Sequence, residues 1–201
     1  MTLDQFRPVA NRMLSPFVTV ADKVGLTPNS VSVLAVGFAG AAAIAFSFAE
    51  PIWYVLGALF VLANGWLDLL DGALAREQDS ASASGDLLDH VLDRYADIII
   101  LAGLAAGIEQ YALGFAAVTG VLMTSYLGTQ IQAVGLGRAY GGLLGRADRL
   151  ALIGFIGVLT AVYPTALLLG LNLIGLLLVL FAVVGHLTAF QRFWGAWSDI
   201  E

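Results

Sequence analysis

The chain has 201 residues, of which 59% are hydrophobic and only 12% charged, and its mean hydropathy is +0.87. These values exclude an ordinary soluble domain and indicate an all-α integral membrane protein with room for about six membrane-spanning helices. Fifteen acidic residues against nine basic ones leave no basic patch for nucleic acid, and the absence of cysteine excludes disulfide and thiolate chemistry.

The first 29 residues form a mixed, charged segment that precedes the membrane domain. We expect no signal peptide there, because no short apolar core is followed by small residues. Residues 3–22 predict an amphipathic helix on the membrane surface, interrupted by Pro8 and Pro16. Its apolar face comprises Leu3, Phe6, Val9, Leu14, Phe17 and Val18. The following "GLTPNSVS" predicts a turn and a helix start, with Asn29 or Ser30 as the N-cap.

Six apolar segments follow, and we assign residues 30–192 to one membrane domain, with residues 193–201 as a C-terminal tail. The short connections contain turn-forming or charged residues such as Pro51, Glu109 and Pro164. The predicted spans are 30–49, 53–76, 86–107, 111–133, 147–163 and 166–191.

Basic residues set the orientation of this six-span arrangement. Eight of the nine fall on one side of the predicted membrane, Arg94 lies inside the third span, and the opposite connections contain neither Lys nor Arg. The positive-inside rule therefore predicts a multi-pass cell-membrane protein with both termini in the cytoplasm. The eight residues are Arg7, Arg12, Lys23, Arg76, Arg138, Arg146, Arg149 and Arg192.

Two pairs of aspartates flank the polar connection between the second and third spans. Asp68 and Asp71 are three residues apart, and Asp89 and Asp93 are four apart, so each pair shares a helix face. The connection, residues 77–85, lets the two helices run antiparallel as neighbours, so the four carboxylates can converge. Charged groups inside spans usually mark a functional site. Oxygen ligands without cysteine favour one or two hard divalent ions, Mg²⁺ or Mn²⁺, and paired ions clamp phosphate oxygens.

Residues around the aspartates fit a phosphate ligand. Gly72 and Ala75 share the face of the acids and leave room for a ligand near the backbone. Arg76 is placed to meet a phosphate, and Gly85 opens the third span beside the site. Asp97 continues the face of Asp93 by one turn and is expected to support the ligands, whereas His90 is expected to pack or hydrogen-bond.

This pattern resembles the signature of the CDP-alcohol phosphotransferases. The resemblance implies transfer of a phosphatidyl or archaetidyl group from a CDP-linked lipid to an alcohol, with release of CMP, and a homodimer. It implies that Asp68, Asp71 and Asp89 ligate metal. Asp93 would be the base and could also contact a metal. The "TPNSVS" segment resembles the family's nucleotide pocket, which implies that Asn29 and Ser32 contact the cytidine or its ribose. The matching pattern is Asp68-x2-Asp71-Gly72-x2-Ala75-Arg76-x8-Gly85-x3-Asp89-x3-Asp93.

Three arginines are candidates for binding the acceptor. Arg146 and Arg149 in "GLLGRADR" and Arg192 in "TAFQR" can form an anion pocket for a phosphorylated alcohol. Both segments resemble phosphatidylinositol-phosphate and archaetidylinositol-phosphate synthases, which implies inositol phosphate. Those enzymes commonly have basic residues where this chain has Gly128 and Gln130, which leaves glycerol phosphate open and serine as a third acceptor.

The lipid is CDP-archaeol or CDP-diacylglycerol. An acid-rich chain whose only lysine is Lys23 is typical of a salt-rich cytoplasm, as in halophilic archaea, where the lipid would be archaeol. A different class, a divalent-cation or proton-coupled transporter, would place its acids near the membrane midplane, often within an internal repeat. Here the acids lie toward one face and no repeat is evident. Two small-residue patches can permit close helix packing: they are Gly37-x2-Gly40 and Gly154-x2-Gly157.

Overall fold

The computed structural model describes residues 7–137 and 144–200, with side chains from Met13 onward apart from that gap. The predictions for Leu3, Phe6, the Val9 side chain and Arg138 therefore lie outside the described residues. Within the described ranges the protein is all-helical, and an isolated bridge between Leu168 and Leu171 is the only β pairing. The helices are α1 (Arg7–Lys23), α2 (Pro28–Ser47), α3 (Pro51–Glu77), α4 (Ala83–Gly107), α5 (Tyr111–Ala133), α6 (Arg146–Val162) and α7 (Leu173–Ile200).

Four of these helices are long and apolar enough to cross a membrane, namely α2, α3, α5 and α7. The other two helices of the predicted domain depart from that pattern for different reasons. α4 carries the acidic face with Arg94 among its residues, and α6 has only 17 residues. Helix boundaries nevertheless follow the predicted segments closely from α2 to α6, and the largest difference is the start of α4 at Ala83 instead of residue 86.

The last helix differs most from its prediction, because α7 covers Leu173–Ile200 instead of 166–191. Its start is delayed by a tight turn in which Leu169 has φ 53° and Gly170 has φ 75°. The Asn172 side-chain oxygen then accepts a hydrogen bond from the Gly175 N–H at 3.0 Å, which satisfies a donor of the first helical turn. At the other end, the predicted tail continues the helix almost to the end of the chain.

Helix α1 packs along α3 and stays continuous through Pro16. Leu14, Val18 and Ala21 are buried in a small cluster of their own with Leu70 and Leu74 of α3. The adjacent face of α1 exposes three large apolar side chains, Met13, Phe17 and Val20. The apolar side of this amphipathic helix therefore has one part packed on the protein and a neighbouring part that is exposed.

The start of α2 corrects the predicted cap. Thr27 is the N-cap, because its hydroxyl accepts a hydrogen bond from the Ser30 N–H at 3.2 Å. The Ser30 hydroxyl lies 3.0 Å from the Thr27 N–H in return, and Pro28 occupies the first helical turn. This reciprocal capping box leaves the Asn29 side chain outside the cap, so Asn29 is available for another contact.

The connection between α3 and α4 is shorter than predicted, and the two helices are not close neighbours. α4 begins after Ser82, whose hydroxyl accepts from the Gly85 N–H at 3.1 Å, so residues 78–82 form the connection instead of 77–85. Both helices pack along α2 instead of closely on each other. The gap between the end of α3 and the start of α4 is therefore bounded by α2, and the aspartates of the motif line a cavity there.

The two small-residue patches differ in how closely other helices approach them. A Cβ added at Gly157 would lie 3.3 Å from the Ala58 Cβ, so this patch allows α6 to pack closely on α3. No atom lies within 4 Å of a Cβ added at Gly37 or Gly40, so the patch on α2 is open in the described chain. The larger apolar core is formed by residues of helices α2 to α7, and Phe46 and Phe181 are its largest fully buried side chains.

Candidate functional site

Three carboxylates meet in the gap between α3 and α4. Asp68 and Asp71 of α3 and Asp89 of α4 each offer an oxygen, and these atoms lie within 4.8 Å of one another. Asp71 is 5% exposed, whereas the other two are partly open to solvent. Three like charges at this separation repel strongly unless a cation lies among them, and an all-oxygen ligand set is the type that Mg²⁺ and Mn²⁺ prefer. The residues therefore fit a divalent metal.

Ser32 of α2 positions one of the three carboxylates. Its hydroxyl donates to Asp71 Oδ2 at 2.6 Å in a buried contact, and the Pro28 carbonyl lies 3.1 Å away as an alternative acceptor. The predicted contact of Ser32 with the nucleotide stays a prediction. In this structure the Ser32 hydroxyl orients a candidate metal ligand, as hydrogen-bonding partners of metal ligands commonly do.

The fourth aspartate, Asp93, lies beside an arginine. Arg146 Nη2 is 2.8 Å from Asp93 Oδ1, and Arg146 Nη1 is 2.6 Å from Asp68 Oδ1. Arg146 was predicted to bind the acceptor phosphate, and it lies inside the aspartate cavity at the start of α6. Its guanidinium joins one of the three clustered carboxylates to the fourth.

Asp97 connects this cavity to the next arginine. Its carboxylate is 5% exposed, and Asp97 Oδ2 accepts from Arg149 Nη2 at 3.0 Å. Arg146 Nε lies 3.7 Å from Asp97 Oδ1. Arg146 and Arg149 are one turn apart on α6 and would repel each other, so the buried carboxylate between them compensates both charges. Asp97 thus supports the two arginines and not the metal cluster directly.

Arg149 lies at the wall of a second cavity, and Arg192 contacts Thr124, another residue of that wall. Arg149 lines it together with Thr124 of α5 and Thr188 of α7. Arg192 donates a hydrogen bond to the Thr124 carbonyl. The three arginines that were predicted to form one pocket are therefore divided: Arg146 lies with the aspartates, and the other two lie around Thr124, with Asp97 as the link.

Sequence reasoning assigned no role to two groups near Asp93. Arg94 places Nη2 3.5 Å from Asp93 Oδ2, and its Nη1 donates to the Ser125 hydroxyl of α5. The sequence identifies Arg94 only as a charge inside a predicted span, although such a charge is itself an indication of function. Ser125 had no comparable signal, because a lone serine in an apolar helix is common.

The remaining predicted residues do not line the aspartate cavity, but those of the motif neighbour its aspartates along α3 and α4. A Cβ added at Gly72 would lie 3.6 Å from Arg76 Nη1, so the exposed Arg76 side chain lies over this glycine. A Cβ added at Gly85 would lie 3.7 Å from the Asn29 side-chain oxygen. Each of the two motif glycines therefore lies beside another residue of the predicted donor site, while Ala75 lies one turn from Gly72 and is half-buried.

His90 lies on the outer side of α4. Its Nδ1 is 2.9 Å from the Asp86 carbonyl oxygen and 3.9 Å from Asp89 Oδ2. The ring therefore pairs with its own helix, in agreement with the expected packing or hydrogen-bonding role.

Comparison with known proteins gives a consistent result. Residues 25–194 match the family model of CDP-alcohol phosphatidyltransferase. The archaetidylinositol phosphate synthase of Methanothermobacter thermautotrophicus is 31% identical over 99% of this chain and 96% of that protein.

Solved structures agree as well. The phosphatidylinositol phosphate synthase of Mycobacterium tuberculosis with CDP-DAG bound has a TM-score of 0.77 and 26% identity, covering 92% of this chain and 94% of that one. A structure of the same enzyme in complex with manganese and citrate has a TM-score of 0.78 and 25% identity, covering 92% of this chain and 88% of that one.

Loss of one clustered carboxylate should abolish tight metal binding. We expect Asp89→Asn to weaken Mn²⁺ binding at least tenfold, because the substitution removes a charged ligand oxygen. The measurement is the free Mn²⁺ signal in electron paramagnetic resonance with the purified full chain. Asp86→Asn is the matched control, since Asp86 is on the same helix with 75% of its side chain exposed. Equal Mn²⁺ affinity in both variants would contradict a metal site at this cluster.

Proposed function

The chain belongs to the CDP-alcohol phosphatidyltransferase family, and on that premise we propose the acceptor, the residue roles and the membrane arrangement of its reaction. As a member it is a transferase of phospholipid synthesis that moves a phosphatidyl-type group from a CDP-linked lipid to an alcohol and releases CMP, with a divalent metal as cofactor. Family membership rules out the transporter alternative.

The proposed acceptor is inositol phosphate. The archaeal relative and the solved bacterial relative are both named as synthases of inositol phosphate lipids. The observation that carries the proposal for this chain is the buried Arg149, which is held by Asp97 and faces a cavity next to the aspartates. A buried guanidinium at a cavity wall suits a phosphate group. Free serine offers no such group and is the least favoured acceptor.

Glycerol phosphate is the second candidate acceptor. Gly128 is buried and Gln130 is exposed, and neither supplies the positive charge that inositol-phosphate enzymes commonly have at these positions. The phosphate contacts then depend on the arginines of α6 and α7 alone. For the donor, an acid-rich and lysine-poor composition favours CDP-archaeol over CDP-diacylglycerol. A screen of both CDP-lipids and three acceptors, with products identified by mass, tests these choices.

The proposed reaction proceeds by attack of the acceptor hydroxyl oxygen on the lipid-linked phosphorus. The new phosphorus–oxygen bond forms as the bond from that phosphorus to the bridging oxygen of CMP breaks, and the hydroxyl proton passes to the Asp93 carboxylate. A bound Mg²⁺ or Mn²⁺ would neutralise the charge that develops on the pyrophosphate oxygens. Asp68, Asp71 and Asp89 would hold this ion, and Asp93 could add a ligand oxygen.

The donor is proposed to bind at the rim of the aspartate cavity. Asn29 lies beside Gly85, and Arg76 lies beside Gly72. Ala75 and the two glycines leave room for a pyrophosphate to approach the backbone. Arg76 contributes a positive charge from the exposed end of α3. Ser32, whose hydroxyl donates to Asp71, is proposed to contact the cytidine or its ribose together with Asn29.

The proposed membrane domain, residues 30–192, has six crossings. α4 crosses with Asp89 and Asp93 turned into the aspartate cavity. The 17 residues of α6 span roughly 25 Å at about 1.5 Å per residue, and the apolar turn after it completes the roughly 30 Å hydrocarbon layer. α1 lies on the cytoplasmic surface with its open apolar face, Met13 and Phe17 among it, toward lipid. Both termini are cytoplasmic.

A homodimer is the proposed assembly. It is supported by the family resemblance and by the open Gly37-x2-Gly40 patch of α2, which leaves room for a close helix contact. The mass of the detergent-solubilised protein, measured by light scattering, tests this assembly, and a monomer mass at high protein concentration would contradict it.

Replacing the proposed base should stop turnover without removing the donor site. We expect Asp93→Asn to lower kcat by about 10²–10⁴-fold, because an amide cannot accept the acceptor's proton. Binding of the CDP-lipid, measured separately by equilibrium titration, should weaken less than in Asp68→Asn. Near-normal turnover in Asp93→Asn would assign the base to another residue.

Substitution of two arginines should affect acceptor binding and donor binding separately. We expect Arg192→Ala to raise the acceptor KM by about 10- to 100-fold, since a charge-assisted contact is lost, with little change in donor KM. Arg76→Ala is the matched arginine variant and should affect the donor instead. Arg192 is preferred to Arg149 here, because removal of Arg149 would leave Asp97 buried without its partner.

The reverse pattern, or equal acceptor KM values in Arg192→Ala and wild type, would make Arg192 an ordinary positive-inside residue. Use of free inositol as readily as inositol phosphate would contradict the anion pocket as a whole.

The cysteine-free sequence allows a direct test of topology. Single cysteines at Ser80 and Glu109 place thiols in the α3–α4 and α4–α5 connections, which the six-span arrangement puts on opposite sides. In intact cells, a membrane-impermeant maleimide should label Glu109→Cys and not Ser80→Cys. Both should be labelled after the membrane is permeabilised. Labelling of Ser80→Cys in intact cells would reverse the proposed orientation.

A further inference from the structure

A fully buried asparagine lines the aspartate cavity and has no role in the signature. Asn64 lies on α3, one turn before Asp68 and two turns before Asp71, and its exposed fraction is 0%. It is bordered by apolar residues along the chain in "VLANGWLD". A polar amide at this depth in an apolar helix is costly unless its groups find partners.

Only half of the Asn64 amide is satisfied. Asn64 Nδ2 donates to the Ala35 carbonyl of α2 at 2.9 Å. A carbonyl oxygen can only accept, so this contact must involve the nitrogen, and the orientation of the amide follows. Asn64 Oδ1 has no hydrogen-bond partner among the described residues. The side chain therefore presents a buried acceptor that needs a donor.

The cavity that Asn64 lines is also lined by all four motif aspartates: Asp68, Asp71, Asp89 and Asp93. Carboxylates accept hydrogen bonds and cannot supply a donor when ionised. The cavity's cationic side chain, Arg146, is engaged with Asp68 and Asp93. The Ser32 hydroxyl, which also lines the cavity, donates to Asp71. A water molecule can supply the donor that Asn64 Oδ1 needs, and a divalent ion at the aspartates would carry such water, because Mg²⁺ keeps several waters in its coordination sphere.

We propose that Asn64 is a positioning residue for the metal: its Oδ1 accepts a hydrogen bond from a water bound to the ion held by Asp68, Asp71 and Asp89. This inference depends on the proposed metal cluster. Asn64 joins Ser32 as a contact one step away from the ion, with Ser32 orienting a carboxylate ligand and Asn64 orienting a water. Its Nδ2 contact with Ala35 fixes the amide from the far side, so the acceptor is preorganised.

Two substitutions separate this role from simple helix packing. Asn64→Leu removes both the donor to Ala35 and the acceptor in the cavity. Asn64→Asp also removes the donor to Ala35 but keeps an oxygen acceptor. Thr160→Val is the matched control, because Thr160 is fully buried in α6 and bonds only to its own helix at Ile156.

The measurement is Mn²⁺ affinity of the purified full chain by electron paramagnetic resonance, with thermal unfolding to verify the fold. We expect Asn64→Leu to bind Mn²⁺ about 10- to 100-fold more weakly, as typical for loss of an outer hydrogen-bonding partner. Asn64→Asp should bind Mn²⁺ at least as tightly as wild type. Thr160→Val should match wild type.

Unchanged Mn²⁺ affinity in Asn64→Leu would overturn the inference. Equal weakening of Mn²⁺ affinity in Asn64→Leu and Asn64→Asp would also overturn it, because only the lost Ala35 contact would then matter. If Asn64→Leu does not fold, weakened binding in Asn64→Asp overturns it alone. Asp89→Asn, measured in parallel, distinguishes failure of the Asn64 role from failure of the metal cluster itself. If Asp89→Asn weakens binding and Asn64→Leu does not, only the role of Asn64 fails. If neither variant weakens binding, the metal cluster itself is wrong.

Discussion

Repulsion among closely spaced carboxylates is the constraint on which the rest of this structure depends. Four aspartates face one cavity between α3 and α4, and a fifth, Asp97, lies one turn deeper. In a partly dehydrated helical domain such charges must be compensated or the helices would separate. The protein compensates them from two sides: Arg146 bridges Asp68 and Asp93, and the cluster of Asp68, Asp71 and Asp89 fits a divalent cation.

Helix α2 makes this arrangement possible, because it separates the two helices that carry the acids. If α3 and α4 packed on each other, no space would remain for metal, pyrophosphate and acceptor. Both pack on α2 instead, and α2 also supplies the groups that orient the cavity wall. Ser32 donates to Asp71, and the Ala35 carbonyl holds Asn64. The first long helix is thus both a spacer and a source of hydrogen bonds for the site.

Asp97 gives the two halves of the site a common electrostatic connection. It touches Arg149, which lines the second cavity, and Arg146, which touches the aspartates of the first. A change in charge at one cavity therefore alters the charges that surround the other through two buried contacts. This continuity suits a transferase of this family, in which an anionic donor and a phosphorylated acceptor must be held close together without mutual repulsion.

The amino-acid sequence by itself determined the number of long helices, the bounds of α2, α3, α5 and α6 to within two residues, the acidic motif and a hard divalent metal, because these depend on periodicities of three and four residues and on side-chain chemistry. The family resemblance followed from the same motif, and the matching family model confirms it. Only the tertiary structure decided that α2 lies between α3 and α4, that Arg146 is with the aspartates while Arg149 and Arg192 surround Thr124, and that Ser32 contacts Asp71. Those contacts join residues far apart in the chain, so the local periodicity of the sequence cannot predict them. Asn64 shows the boundary most clearly: the sequence places it on the face of Asp68, but whether its oxygen is paired depends on how α2 packs against α3.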